Sequence, residues 1–91
     1  MSYNVTIPSA PFYVTCNDKF SVAMSGPARG KMHRVIIPCN SVQDVKRLVG
    51  LLERNGQFAN VRVAGNKPKL SRNNVYSVRS AQGVFFYGRA L

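Results

Sequence analysis

Between Ser41 and Arg54 the apolar residues recur with the period of an α-helix, and no other stretch of the chain shows that period. At 100° per residue, Val42, Val45, Leu48, Val49 and Leu52 fall within one arc of about 120°. Lys46, Arg47, Glu53 and Arg54 lie off the arc and are expected to face water. Asn40 or Ser41 supplies the cap. Ser41 followed by Asp44 approximates a capping box, with Asp in place of the usual Glu. Asp44 also places negative charge on the first turn, where the helix dipole favours it. Arg54-Asn55-Gly56 ends the segment with a late cation and a residue that tolerates positive φ. Gly50 inside it costs about 1 kcal/mol against Ala. One amphipathic helix cannot bury its own stripe, so the rest of the chain must build a surface to receive it.

That surface reads as a sheet. Tyr3-Asn4-Val5-Thr6-Ile7 alternates apolar and polar, as a half-buried strand does. Pro8 and Pro11 bracket a break. Phe12-Tyr13-Val14-Thr15-Cys16 is β-branched and aromatic, and Asn17-Asp18 is turn chemistry. Ser25-Gly26-Pro27-Ala28-Arg29-Gly30 is a loop by composition. Lys31 to Pro38 contains Val35-Ile36-Ile37, a triplet that suits a central strand buried on both faces. Beyond the helix, residues 58–64 alternate Ala59, Val61 and Val63 against Phe58, Asn60 and Arg62. Residues 75–79 place Tyr76 and Val78 on one face and Ser77 and Arg79 on the other. Ala81-Gln82-Gly83 turns the chain into a last, edge strand at Val84-Phe85-Phe86-Tyr87. The expectation is α+β: a single helix packed on one face of an antiparallel or mixed sheet of about five to six strands. At 91 residues there is material for one modest core, so residues 1–91 form one domain.

The charge is lopsided. Thirteen Lys and Arg stand against three Asp and Glu, a net charge of +10. Residues 54–91 carry Arg54, Arg62, Lys67, Lys69, Arg72, Arg79 and Arg89 and no acid. Self-repulsion on this scale is relieved by a polyanion. Eight of the cations are Arg, whose planar fork holds phosphate with two hydrogen bonds. No apolar run reaches the roughly 18–20 residues of a membrane span. The N-terminus lacks the charged-then-apolar order of a secretory signal.

Little points to catalysis or a metal. Cys16 and Cys39 are 23 positions apart, with no short Cys pair, and with His33 they leave a tetrahedral zinc site one ligand short. Two buried, reduced thiols are the expected state. The carboxylates are Asp18, Asp44 and Glu53, too few and too scattered for an acid–base site. No phosphate-binding glycine loop or nucleophile elbow is present. The expectation is a protein without catalytic residues, metal, cofactor or small-molecule substrate.

The cations suggest an interface. Lys67, Lys69 and Arg72 hang from the loop that joins the strands at 58–64 and 75–79. If those strands pair as a hairpin, Arg62 and Arg79 join them at one end of the sheet. Asn66, Ser71, Asn73 and Asn74 would add neutral hydrogen bonds to phosphate or sugar. Arg29, Lys31 and Arg34 form a second candidate patch beside glycines that let a backbone approach a ligand closely. Lys46, Arg47 and Arg54 read as the solvated face of the helix. Tyr13, Tyr76, Phe86 and Tyr87 are candidates for base stacking, against a simpler role in the core. Gly83 to Gly88 lacks the basic residue that begins the RNA-recognition signature, so that module is not indicated.

One further pattern lies in the first 40 residues: Pro11 to Phe20, then Met24-Ser25-Gly26, Gly30-Lys31 and Val35-Ile36-Ile37. It resembles a family of small uncharacterised proteins of tailed bacteriophages, in which a strand ending in Thr-Cys leads to Asp-Lys-Phe, a Met-Ser-Gly loop, Gly-Lys and an apolar strand. This chain departs by inserting Ser21-Val22-Ala23, by lacking the loop tryptophan and by its more basic second half. The resemblance carries no residue-level activity. It implies a phage setting in the cytoplasm of a bacterial host. In that setting the class and charge suggest an anti-CRISPR protein, which inhibits a CRISPR-Cas ribonucleoprotein complex by occlusion through contacts to guide RNA and protein. The alternative is a phage protein that binds single-stranded or duplex nucleic acid directly.

Overall fold

A computed structural model describes residues 7–22, 24, 29–70, 74–79 and 85–89. Its elements run β1 (Phe12–Val22), β2 (Met32–Cys39), α1 (Val42–Arg54), β3 (Phe58–Ala64), β4 (Val75–Arg79) and β5 (Phe85–Arg89). The strands form one mixed sheet in the order β3-β1-β2-β4-β5, with the helix on one face: an α+β architecture. β1 pairs antiparallel with both β2 and β3, β2 pairs parallel with β4, and β4 pairs antiparallel with β5. β2 takes the centre, and Val35, Ile36 and Ile37 are all buried there. β5 lies at an edge, as its position in the sequence suggested.

The expected hairpin between residues 58–64 and 75–79 does not form. β3 and β4 are separated by both β1 and β2. The reason lies in β4, where Tyr76, Ser77 and Val78 are buried in succession. A strand that hides both faces belongs beside another such strand, and β2 is the one available. Two crossovers follow. The helix carries the chain from β2 to β3 on one face. Residues 65–70 lead back over the other face, where Leu70 packs against the cluster of Tyr13, Ile36, Tyr76 and Val78. The two crossovers run in opposite directions on opposite faces, so they share one hand, as parallel connections in a single sheet do.

Each face has its own core. Under the helix, Val45 and Leu52 pack on Val14, Cys16, Val35, Ile37 and Cys39, with Leu48, Val49, Phe58 and Val61 at the margin. Burying Val45 and Leu52 contributes about 1.5–3 kcal/mol each. Val42 belongs to the same arc but is half exposed. Ser41 Oγ accepts the Asp44 N–H at 3.1 Å. The Asp44 carboxylate does not close the box; it accepts from Arg47 at 3.3 Å. The helix ends on Asn55 in an extended conformation, its N–H donating to the Leu52 carbonyl, and the left-handed cap expected at Gly56 is not used.

Two further expectations change. Asn17-Asp18 does not turn the chain: β1 runs on to Val22, and Asp18 is buried within it. The alternation of β3 breaks at Asn60, whose φ of 57° marks a bulge in the ladder to β1. Val61 is thereby set beside Phe58 toward the helix, and Val63 is left half exposed. The strand expected at residues 3–7 and the turn at 81–83 lie outside the described residues, apart from Ile7. Among the described residues no helix is long and apolar enough to cross a membrane.

Candidate nucleic-acid interface

Alternation along the strands decides which cations share a face. Val14, Cys16, Val35 and Ile37 face the helix, so Thr15, Asn17 and Arg34 face away from it. Arg62 pairs with Thr15, and Arg34 pairs with Asn17. Arg62 and Arg34 therefore flank β1 on the helix-free face, two strands and two residues apart. At usual sheet spacings that is roughly 12 Å between their Cα atoms. Both are exposed. Lys67 and Lys69, also exposed, ride the crossover segment that covers the Tyr13 end of the same face. Tyr13 anchors the other cover of this face: its hydroxyl donates to the Pro8 carbonyl at 2.7 Å and accepts from the Ala10 N–H at 3.0 Å.

The carboxylates are elsewhere. Asp18 faces the helix side, and Asp44 and Glu53 stand on the helix itself. With only three acids in the whole chain, none is left for the helix-free face. Among the described residues, Arg29, Lys31, Arg34, Arg62, Lys67 and Lys69 take part in no ion pair.

Arg79 does not belong to this group, which corrects the expected five-cation cluster. It lies on the helix side, where its guanidinium reaches Asp18 Oδ2 at 3.8 Å and covers the Phe58 ring at 5.0 Å from the centroid. A cation already held by a buried carboxylate and an aromatic face has a structural task. Arg72 lies outside the described residues. Arg29 sits in the turn before β2, where Gly30 adopts a φ of 83°, and Lys31 follows it. The two patches read from the sequence are thus divided differently. Arg34 joins Arg62 on one face, exposed Lys67 and Lys69 lie on the segment that follows β3 toward Leu70, and Arg29 and Lys31 stand at the end of the β1–β2 hairpin.

Asp18 is the most elaborately held polar group. Gln57 Nε2 donates to both of its oxygens, at 3.1 and 3.2 Å. The Phe20 N–H and the Ser21 hydroxyl donate at 3.0 and 3.1 Å. Burial pushes its pKa up, but these hydrogen bonds and the Arg79 charge outweigh burial and hold it below 3.8. Cys16, on the same side, is pushed the other way: burial raises its thiol to about 11. Both cysteines are free and buried. A thiol this reluctant to ionise is the opposite of an activated nucleophile. His33 pairs with Asp18 across the ladder, but its Nδ1 has no hydrogen-bond partner. Among the described residues no three His, Cys, Asp or Glu side chains gather as a metal site would require.

The candidate stacking tyrosines are core. Tyr13 and Tyr76 are 1% and 2% exposed. The side chains of Phe86 and Tyr87 lie outside the described residues. Among the described side chains the aromatic ring that stands in solvent is Phe20, at 78%. The signal for it was a lone aromatic next to Lys19 and just ahead of a Gly-Pro loop.

The fold and this face define a small α+β domain whose helix-free face carries Arg34 and Arg62 and none of the three side-chain carboxylates. Comparison of the chain with protein-family models, curated proteins and solved structures returns no match.

Proposed function

We propose that this is a non-enzymatic nucleic-acid-binding protein that grips the phosphate backbone through the helix-free face of its sheet. The observation that carries the reading is charge segregation: Arg34 and Arg62 share a face on which the chain places no side-chain carboxylate, and exposed Lys67 and Lys69 follow on the segment leading to Leu70, which packs on that face. Uncompensated Arg and Lys on one face attract a polyanion, and each phosphate contact releases counterions. Thr15 and Asn17, between the two arginines, add neutral donors to phosphate or sugar.

The test is binding to oligonucleotides over a range of salt. The wild type should bind at low salt, with affinity falling steeply as salt rises. Arg34→Gln with Arg62→Gln should lower the log–log salt slope by about two. Lys46→Gln with Arg54→Gln, on the outer helix face, should leave it unchanged. A wild type that binds no oligonucleotide in dilute buffer defeats the proposal.

The reading as an anti-CRISPR protein uses the same face, set against guide-RNA phosphate and adjoining protein. It differs in one measurable respect. An occluding inhibitor binds the assembled ribonucleoprotein far more tightly than the naked strand, because protein contacts add to phosphate contacts.

A further inference from the structure

Four of the large apolar side chains left in solvent lie together at the end of the β1–β2 hairpin. Phe20 is 78% exposed, Met24 85%, Val22 42% and Met32 36%, and Val22 and Met32 are directly paired. An exposed apolar group of this kind marks a contact surface more often than an accident of folding. The backbone beneath it is fixed. Between Asp18 and Val22, β1 advances four residues while β2 advances one, so residues 19–21 bulge out of the ladder. The buried Asp18 carboxylate accepts the Phe20 N–H and the Ser21 hydroxyl, and the Lys19 N–H donates to the Gln57 carbonyl at 2.8 Å. The bulge therefore holds an aromatic ring outward between backbone ties at Lys19 and Phe20 and a side-chain tie at Ser21.

The surroundings of the ring indicate what it meets. Lys19, Arg29 and Lys31 are exposed within the same hairpin end, and the one nearby acid, Asp18, is buried and engaged. Farther along the hairpin Arg34 stands on β2, with Arg62 across β1 from it. An exposed apolar ring followed at strand-length distance by further cations matches a strand that alternates bases with phosphates. A bilayer would instead ask for cations ringing the apolar group in one plane.

We infer that the end of the β1–β2 hairpin is a base-contacting arm: Phe20 stacks on an unpaired base of a single strand while Lys19, Arg29 and Lys31 hold the flanking phosphates. The inference rests on the nucleic-acid reading above and adds to it a preference for unpaired bases.

The chain contains no tryptophan, so Phe20→Trp introduces a single reporter at the tip. Its emission should be quenched by at least half on titration with a single-stranded oligothymidylate, and little by a duplex of equal charge. Phe20→Ala should weaken oligothymidylate binding about tenfold or more while leaving the salt slope unchanged. Because the ring is exposed, both variants should keep the thermal midpoint of the wild type. If the wild type binds oligothymidylate but the Phe20→Trp emission does not change and Phe20→Ala binds equally well, the arm is overturned and the phosphate-gripping face survives. If phosphatidylserine vesicles shift the emission and oligothymidylate does not, the arm is a membrane contact and the inference fails. If no oligonucleotide is bound by the wild type, the broader reading falls first.

Discussion

A carboxylate taken out of water keeps its charge only where donors replace the lost hydration. Asp18 has that replacement from Gln57, Phe20, Ser21 and Arg79. Its folded pKa lies below 3.8, so the unfolded chain takes up a proton more readily than the native one. The stability this group contributes is complete above the unfolded value and is lost as pH falls through the folded one. Asp18→Asn removes the charge that Arg79 faces, and should cost about 2–4 kcal/mol at pH 7. Denaturant unfolding of both proteins at pH 7 and pH 3 checks this. The gap should narrow at the lower pH, and a gap of equal size at both would show that the charge is not what Asp18 contributes. The same side chain carries the bulge that presents Phe20, so a group with a stabilising task at one residue also sets the geometry of the next two.

Elements in this fold are specified locally and joined non-locally. Asn60 shows the local part. Its left-handed backbone places one extra residue in β3 and lets both Phe58 and Val61 reach the helix side. A β-branched residue cannot adopt that conformation cheaply, so Asn60→Val should destabilise by about 1–2 kcal/mol, whereas Asn60→Gly should be nearly neutral. Thermal unfolding of the two variants measures the difference, and equal losses would mean that the bulge is not required. The helix was legible in the sequence because its period, cap and end all lie between Ser41 and Gly56. The central place of Val35-Ile36-Ile37 was legible because a strand buried on both faces leaves a continuous apolar run. Strand partners were not legible. Nothing near β3 or β4 records that two other strands come between them, and Asn17-Asp18 looks like a turn until Gln57 and Arg79 arrive from elsewhere to satisfy the carboxylate. The site followed the same division. Residue types identified Arg34, Arg62, Lys67 and Lys69 as candidates, but only the register through β1 makes Arg34 and Arg62 neighbours. Only the long-range ion pair withdraws Arg79.

Over the whole molecule the dominant electrostatic fact is a net charge of +10 with one face free of acid. Like charges held at this density oppose the folded state, and the opposition is screened with a length of about 10 Å at 0.1 M salt. The thermal midpoint of the free protein should therefore rise as salt increases from low millimolar to about 0.2 M. In dilute buffer it should rise further on addition of an oligonucleotide, since a ligand bound only by the native state stabilises it. A midpoint indifferent to salt would mean that the cations are spaced too widely to repel. The borders of the sheet set a different limit, on self-association. Stacking of copies side by side into a fibre requires each molecule to offer one flat strand at each border, so that the second can be a template for the next. Among the described residues β5 is one border and β3 the other, and β3 is bent out of line at Asn60. Copies that met through β5 alone would close as a pair, and growth would stop there.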